Sequence, residues 1–139
     1  MPKFLFKSKD GGPESNVTGY WLIESKRFFS IVLLRFDKGS REVFHNHAFN
    51  AWSWILNGEL KELHKVKGFM YDHLLENSMK PSFLPIFTHQ NRMHQVHGVA
   101  DKSWALSFRG PWNKTWKEWL PKEGREVTLT SGRKIVEDK

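Results

Sequence analysis

The chain divides into roughly nine short apolar or alternating runs, set at near-regular intervals and separated by turn residues. That rhythm restricts it to an all-β sandwich or barrel, because each run is too short for a helix that could bury its own face. Residues 20–26 and 28–36 open the series. The second run has apolar residues on both parities, which predicts a strand covered on both faces. Runs at 41–49, 51–63, 82–87, 94–97 and 103–108 follow, with a turn expected over 98–102. Residues 65–80 are mixed and hold either a strand or an irregular excursion. Near the end, 126–129 and 133–136 flank Ser131-Gly132 and predict a hairpin. Residues 8–19, with Asp10-Gly11-Gly12-Pro13, read as a loop. One segment departs from the β pattern. Trp112, Trp116, Trp119 and Leu120 recur at helical spacing, which predicts one short C-terminal helix over 113–120, packed on a sheet face.

The 139 residues fit a single domain, with its core over about 20–120 and the stretches 1–19 and 121–139 peripheral. No stretch approaches the ~18 apolar residues of a membrane span, and the basic start lacks the apolar segment of a secretory leader. With no cysteine, thiolate zinc sites, iron–sulfur clusters and disulfides are excluded. A cytoplasmic location without a membrane partner is the expectation. The net charge of +7 favours small anionic partners such as nucleotides or phosphorylated metabolites. The charge is spread along the chain, so nucleic acid is not an expected partner.

Chemistry concentrates at His45-Asn46-His47. In a strand, residues two apart leave the same face. Two imidazoles so placed can grip one divalent ion, and imidazole suits zinc, copper, iron and nickel. A third ligand is needed. His94 is the best histidine, sharing its parity with Val96, while His97 has the opposite parity. Among carboxylates, Glu62 shares the parity of Trp52, Trp54, Leu56 and Leu60, and Glu59 lies on the other face. A carboxylate on an apolar face needs compensation, which either a metal or a neighbouring Lys or Arg supplies. His64, His73 and His89 sit among polar residues and read as solvated. Arg41 shares the parity of His45 and His47 and is a candidate to hold a carboxylate or phosphate, as is Arg109 at the end of its strand. Trp52 and Trp54 are candidate pocket walls.

These residues resemble the cupins. Gly39, His45, His47 and Gly58 occupy positions of the cupin first motif, G-x5-H-x-H-x3–4-E-x6-G, with Ala51 or Trp52 where its glutamate would stand. The second motif maps onto the stretch ending at His94, without its usual proline and glycine. The chain is also similar to small cupin-type proteins with H-x-H, then L-x-G-x-[YL]-x-E, a later histidine and a strand ending in Gly-Pro. Here these are His45-x-His47, Leu56-x-Gly58-x-Leu60-x-Glu62, His94 and Trp104 to Pro111. The resemblance covers about residues 28–120. It implies a double-stranded β-helix, the jelly-roll barrel, with His45, His47 and His94 as ligands to iron, manganese, nickel or zinc. Glu62 would replace the displaced glutamate, or the site holds three histidines with open positions. It also implies pairing of sheets in a homodimer.

Three protein ligands with open positions suit a catalytic metal. The expected function is a metal-binding cupin acting on a small, anionic molecule, as an iron-dependent oxygenase or a metal-dependent isomerase or lyase. The rival is a non-catalytic module that sequesters a nucleotide or phosphorylated metabolite. A metal-free isomerase with a histidine base is a further alternative. The H-x-D pattern of 2-oxoglutarate dioxygenases is absent, since position 47 is histidine.

Overall fold

The computed structural model describes residues 2–10, 15–40, 44–66, 70, 73–113, 115–120, 125–130 and 134–138. Every element among them is a strand. In chain order these are β1 (Lys3–Lys9), β2 (Val17–Glu24), β3 (Ser30–Gly39), β4 (Phe44–His45), β5 (Ala51–Asn57) and β6 (Leu60–Val66). There follow β7 (His73–Met79), β8 (Ile86–Thr88), β9 (His94–Arg109), β10 (Thr115–Leu120), β11 (Arg125–Thr130) and β12 (Lys134–Asp138). All pairings are antiparallel, in one curled sheet whose main path runs β1-β2-β3-β9-β4-β10-β11-β12. Among the described residues no helix is long and apolar enough to cross a membrane.

The sheet is organised around β9, which has 16 residues. Its C-terminal half lies between β3, with Ser30 opposite Arg109, and β5, with Ala51 opposite the same residue. Its N-terminal half lies between β6, with His64 opposite His94, and β4, with His45 opposite His94. One strand therefore ties both walls of the curl together. The sequence reading had divided this stretch into two strands with a turn over 98–102. The correction has a local cause. A Cβ at Gly98 would meet the carbonyl of Asp37, so only glycine lets β3 pass this close and the ladder continue. Cross-strand pairing then overrides the turn-like composition.

Two other expectations are corrected, and one left open is resolved. The helix over 113–120 is replaced by β10, which pairs with β11 and, through Glu118 opposite His45, with β4. Its Trp and Thr residues suit a strand, and the ladder on both sides outweighs a fortuitous helical spacing. Residues 8–19 are not all loop, since β1 and β2 pair from Lys3 opposite Glu24 to Lys9 opposite Thr18. The mixed stretch after residue 65 contributes β7, paired with β6 along its length. The hairpin expected near the C-terminus is present as β11 and β12.

Inward residues of the central strands form the main apolar cluster of Trp21, Val32, Leu34, Phe36, Ile55, Leu60 and Ala105. They do not fill the curl. Most of them also line a cavity of about 470 Å³.

Candidate metal centre

His45, His47 and His94 meet on the wall of this cavity. His45 ends β4 and His94 begins β9, directly opposite each other. His47 lies beyond the end of β4, so parity along a continuous strand does not place it. Asn46 does. Its backbone N–H donates to the Lys117 carbonyl at 3.0 Å, and its side-chain oxygen accepts from the Lys117 N–H at 2.7 Å. The His47 N–H then donates to the Gln90 carbonyl at 3.2 Å. The three rings form a near-equilateral triangle with centroids 4.9 to 5.0 Å apart and planes crossed by 62° to 87°. One nitrogen from each lies within 4.8 Å of the others.

The second feature stands behind His94. Its Nδ1 is 2.7 Å from Glu62 Oε2. Glu62 Oε1 accepts from Arg92 at 2.7 Å and from Asn77 at 3.3 Å. Burial by itself would raise the Glu62 carboxyl. The hydrogen bond from His94, the charges of His94 and Arg92 and the Asn77 amide outweigh it and hold the group at about 2, below its ordinary 4.5. An ionised carboxylate can only accept, so His94 Nδ1 carries the hydrogen. The remaining nitrogen, Nε2, is buried without a hydrogen-bond partner. An orphaned buried imidazole nitrogen beside two further imidazoles is the fit expected of a metal site, and a donor set of three imidazoles suits a divalent transition ion.

The structure sorts the remaining expectations. Glu62 shares the cavity wall but stands outside the triad, engaged with His94, Arg92 and Asn77. Trp52 and Trp54 do not line the cavity. The inward residues of β5 are Ala51, Ser53 and Ile55, while Trp52 packs outside against Phe87 and Trp54 against Phe108. The shared parity of Trp52, Trp54 and Glu62 is broken between β5 and β6, where the register shifts between Ile55 and Asn57 and Gly58 has φ of 85°. Arg109 does line the cavity and is buried, but both its terminal nitrogens go to Asp10, at 3.3 and 2.8 Å. Arg41 lies outside the described residues. His64 is half-buried opposite His94, not solvated, and its burial and the charge of Arg92 hold its imidazole below the ordinary 6.5. His97 lies on the other face, beside Gln95 at 2.9 Å.

Sequence reasoning missed Arg92, Asn77 and Asn46. Only Asn46 carried a local signal, as a polar residue on the opposite parity between the two histidines. The partners of Glu62 come from β7 and from the turn before β9, which no spacing in the sequence reveals.

No family model matches the sequence, and no curated protein matches it. Solved structures do. A sugar phosphate isomerase of the cupin superfamily from Silicibacter pomeroyi superposes with TM-score 0.60 at 12% identity, over 95% of this chain and 87% of that one. The fold is that of the cupins. An iron(II) HppE structure matches this cupin barrel with TM-score 0.56 at 14% identity, covering 74% of this chain and 54% of that one. Oxalate oxidase in complex with glycolate matches with TM-score 0.54 at 14% identity, covering 80% and 61%. The chain thus spans little more than half the length of these last two.

Proposed function

We propose that this cupin binds a divalent transition metal through His45, His47 and His94 and acts on a small molecule held in the adjoining cavity. The observation that carries the reading is the crossed triangle of imidazoles, in which His94 Nε2 is buried without a hydrogen-bond partner. Its relatives in fold include an iron(II) protein and an oxidase bound to glycolate, which fits a reaction at a metal rather than storage. When bound, the ion would supply Lewis acidity or, as iron, access to oxygen chemistry. The chain's own part is positional. Glu62 fixes the tautomer of His94 and Asn46 pins the backbone of His47, so the nitrogens converge before any ion arrives. The apolar wall excludes water from the ligand beside them.

Elemental analysis of protein purified without an affinity tag tests this. Near-stoichiometric iron, manganese, nickel or zinc is expected in the parent and is lost in the His45→Ala, His47→Ala double variant. A folded parent that takes up no metal on reconstitution would sink the metal reading.

A further inference from the structure

The chain carries +7, yet among the described residues little of that charge lines the cavity. Among the described residues lining it, the basic side chains are Lys9, Lys26 and Arg109. Against them stand four carboxylates, Asp10, Glu24, Glu62 and Glu118. The deepest of the cations is already neutralised. Arg109 is 5% exposed and gives both terminal nitrogens to Asp10. Its guanidinium is also covered by Phe49, at 4.6 Å to the ring centre, and by Trp21 at 5.2 Å. Lys26 lies over the ring of Trp112 at 4.8 Å. A carboxylate or phosphate that is to bond Arg109 must displace Asp10, which is costly at a buried ion pair.

The wall is apolar. Leu34 and Phe36 from β3, Ala51 and Ile55 from β5, Leu60 from β6 and Ala105 from β9 are all buried cavity residues. The two alanines leave room that a larger side chain would fill. The inward hydroxyls of Ser53 and Ser107 bond to each other at 3.2 Å, so neither requires a polar ligand. Apolar surface with few polar groups selects ligands by the hydrocarbon area they bury.

We infer that the ligand of this cavity is an uncharged molecule with an apolar body, carrying one small oxygen-bearing head toward the histidines. This replaces the anionic ligand suggested by the chain's overall charge. The placement of the head rests on the metal reading above; the body rests on the cavity lining alone.

The test uses the full chain freed of metal, so that the metal reading does not enter. 4-Ethylphenol, 4-ethylbenzoate and inorganic phosphate are titrated by calorimetry and by intrinsic fluorescence, since Trp21, Trp112 and Trp116 line the cavity. 4-Ethylphenol is expected to saturate, with 4-ethylbenzoate at least about tenfold weaker and phosphate silent. In Asp10→Asn, with its fold checked by circular dichroism, Arg109 is released and the gap between the two aromatics narrows or reverses. Ethylbenzoate or phosphate binding the parent as tightly as ethylphenol overturns the inference, as does a folded parent that takes up no ethylphenol. Failure of the metal reading shows separately, as absence of metal in the elemental analysis, and leaves the ethylphenol result standing.

Discussion

Glu62 shows how much a single residue can carry in this fold. It is 5% exposed and holds three partners from three places in the chain. Glu62→Ala leaves His94 Nδ1 and the Arg92 guanidinium without an acceptor, and should cost roughly 2–4 kcal/mol in urea unfolding. Glu62→Gln keeps one acceptor and should cost less. The acid limb tests the same network. Because the folded carboxyl sits at about 2 and the unfolded one near 4.5, its contribution is complete above pH 4.5 and is lost as pH falls toward 2. Stability measured over that window should fall in the parent and flatten in Glu62→Gln. At this scale the sequence was half legible. The pairing of His45 and His47 could be read because it is local. The use of Glu62 could not, because its choice between metal and cation depends on Arg92 and Asn77, which only the fold delivers.

Elements were legible where alternation was uninterrupted and misread where a backbone irregularity intervened. Gly58 is the clearest case. Together with the register shift between Ile55 and Asn57, its φ of 85° and its closeness to Ser103 accompany the reversal of inward parity between β5 and β6. Inward Ile55 is followed by inward Leu60, with Trp52 and Trp54 left outside. The buried Ser103 hydroxyl completes the turn, accepting from the Glu59 N–H and donating to its carbonyl, both at 3.0 Å. Gly58→Ala therefore meets both backbone strain and the Ser103 Cα. It should lower stability by about 1–3 kcal/mol by thermal or urea unfolding, whereas Asn57→Ala outside that contact should cost much less. Apolar parity alone cannot locate such a reversal, because Asn-Gly announces a turn without giving its register.

At the scale of the whole molecule, class and rhythm were legible in the sequence, and the fold supplied closure. An all-β sandwich or barrel follows from short runs and turn residues. The identity of β9 as the shared strand of both walls does not, since its partners span β3 to β6. A metal bound as proposed by His45, His47 and His94 would couple to the stability of that closure. At a hundredfold excess over its dissociation constant, a bound ion should add about 2.7 kcal/mol and raise the melting temperature by roughly 5–10 °C. The shift should follow metal concentration in differential scanning calorimetry and vanish in His47→Ala.

The central place of β9 also fixes when in its history the protein becomes competent. Ser30 must find Arg109, and His45 must find His94, before either wall exists. Such distant pairings are slow to form. During synthesis the earlier strands leave the ribosome with their inner partner still unmade, exposing apolar edges to neighbouring chains. The site is complete only once this stretch of sixteen residues has paired on both sides and brought the third imidazole with it.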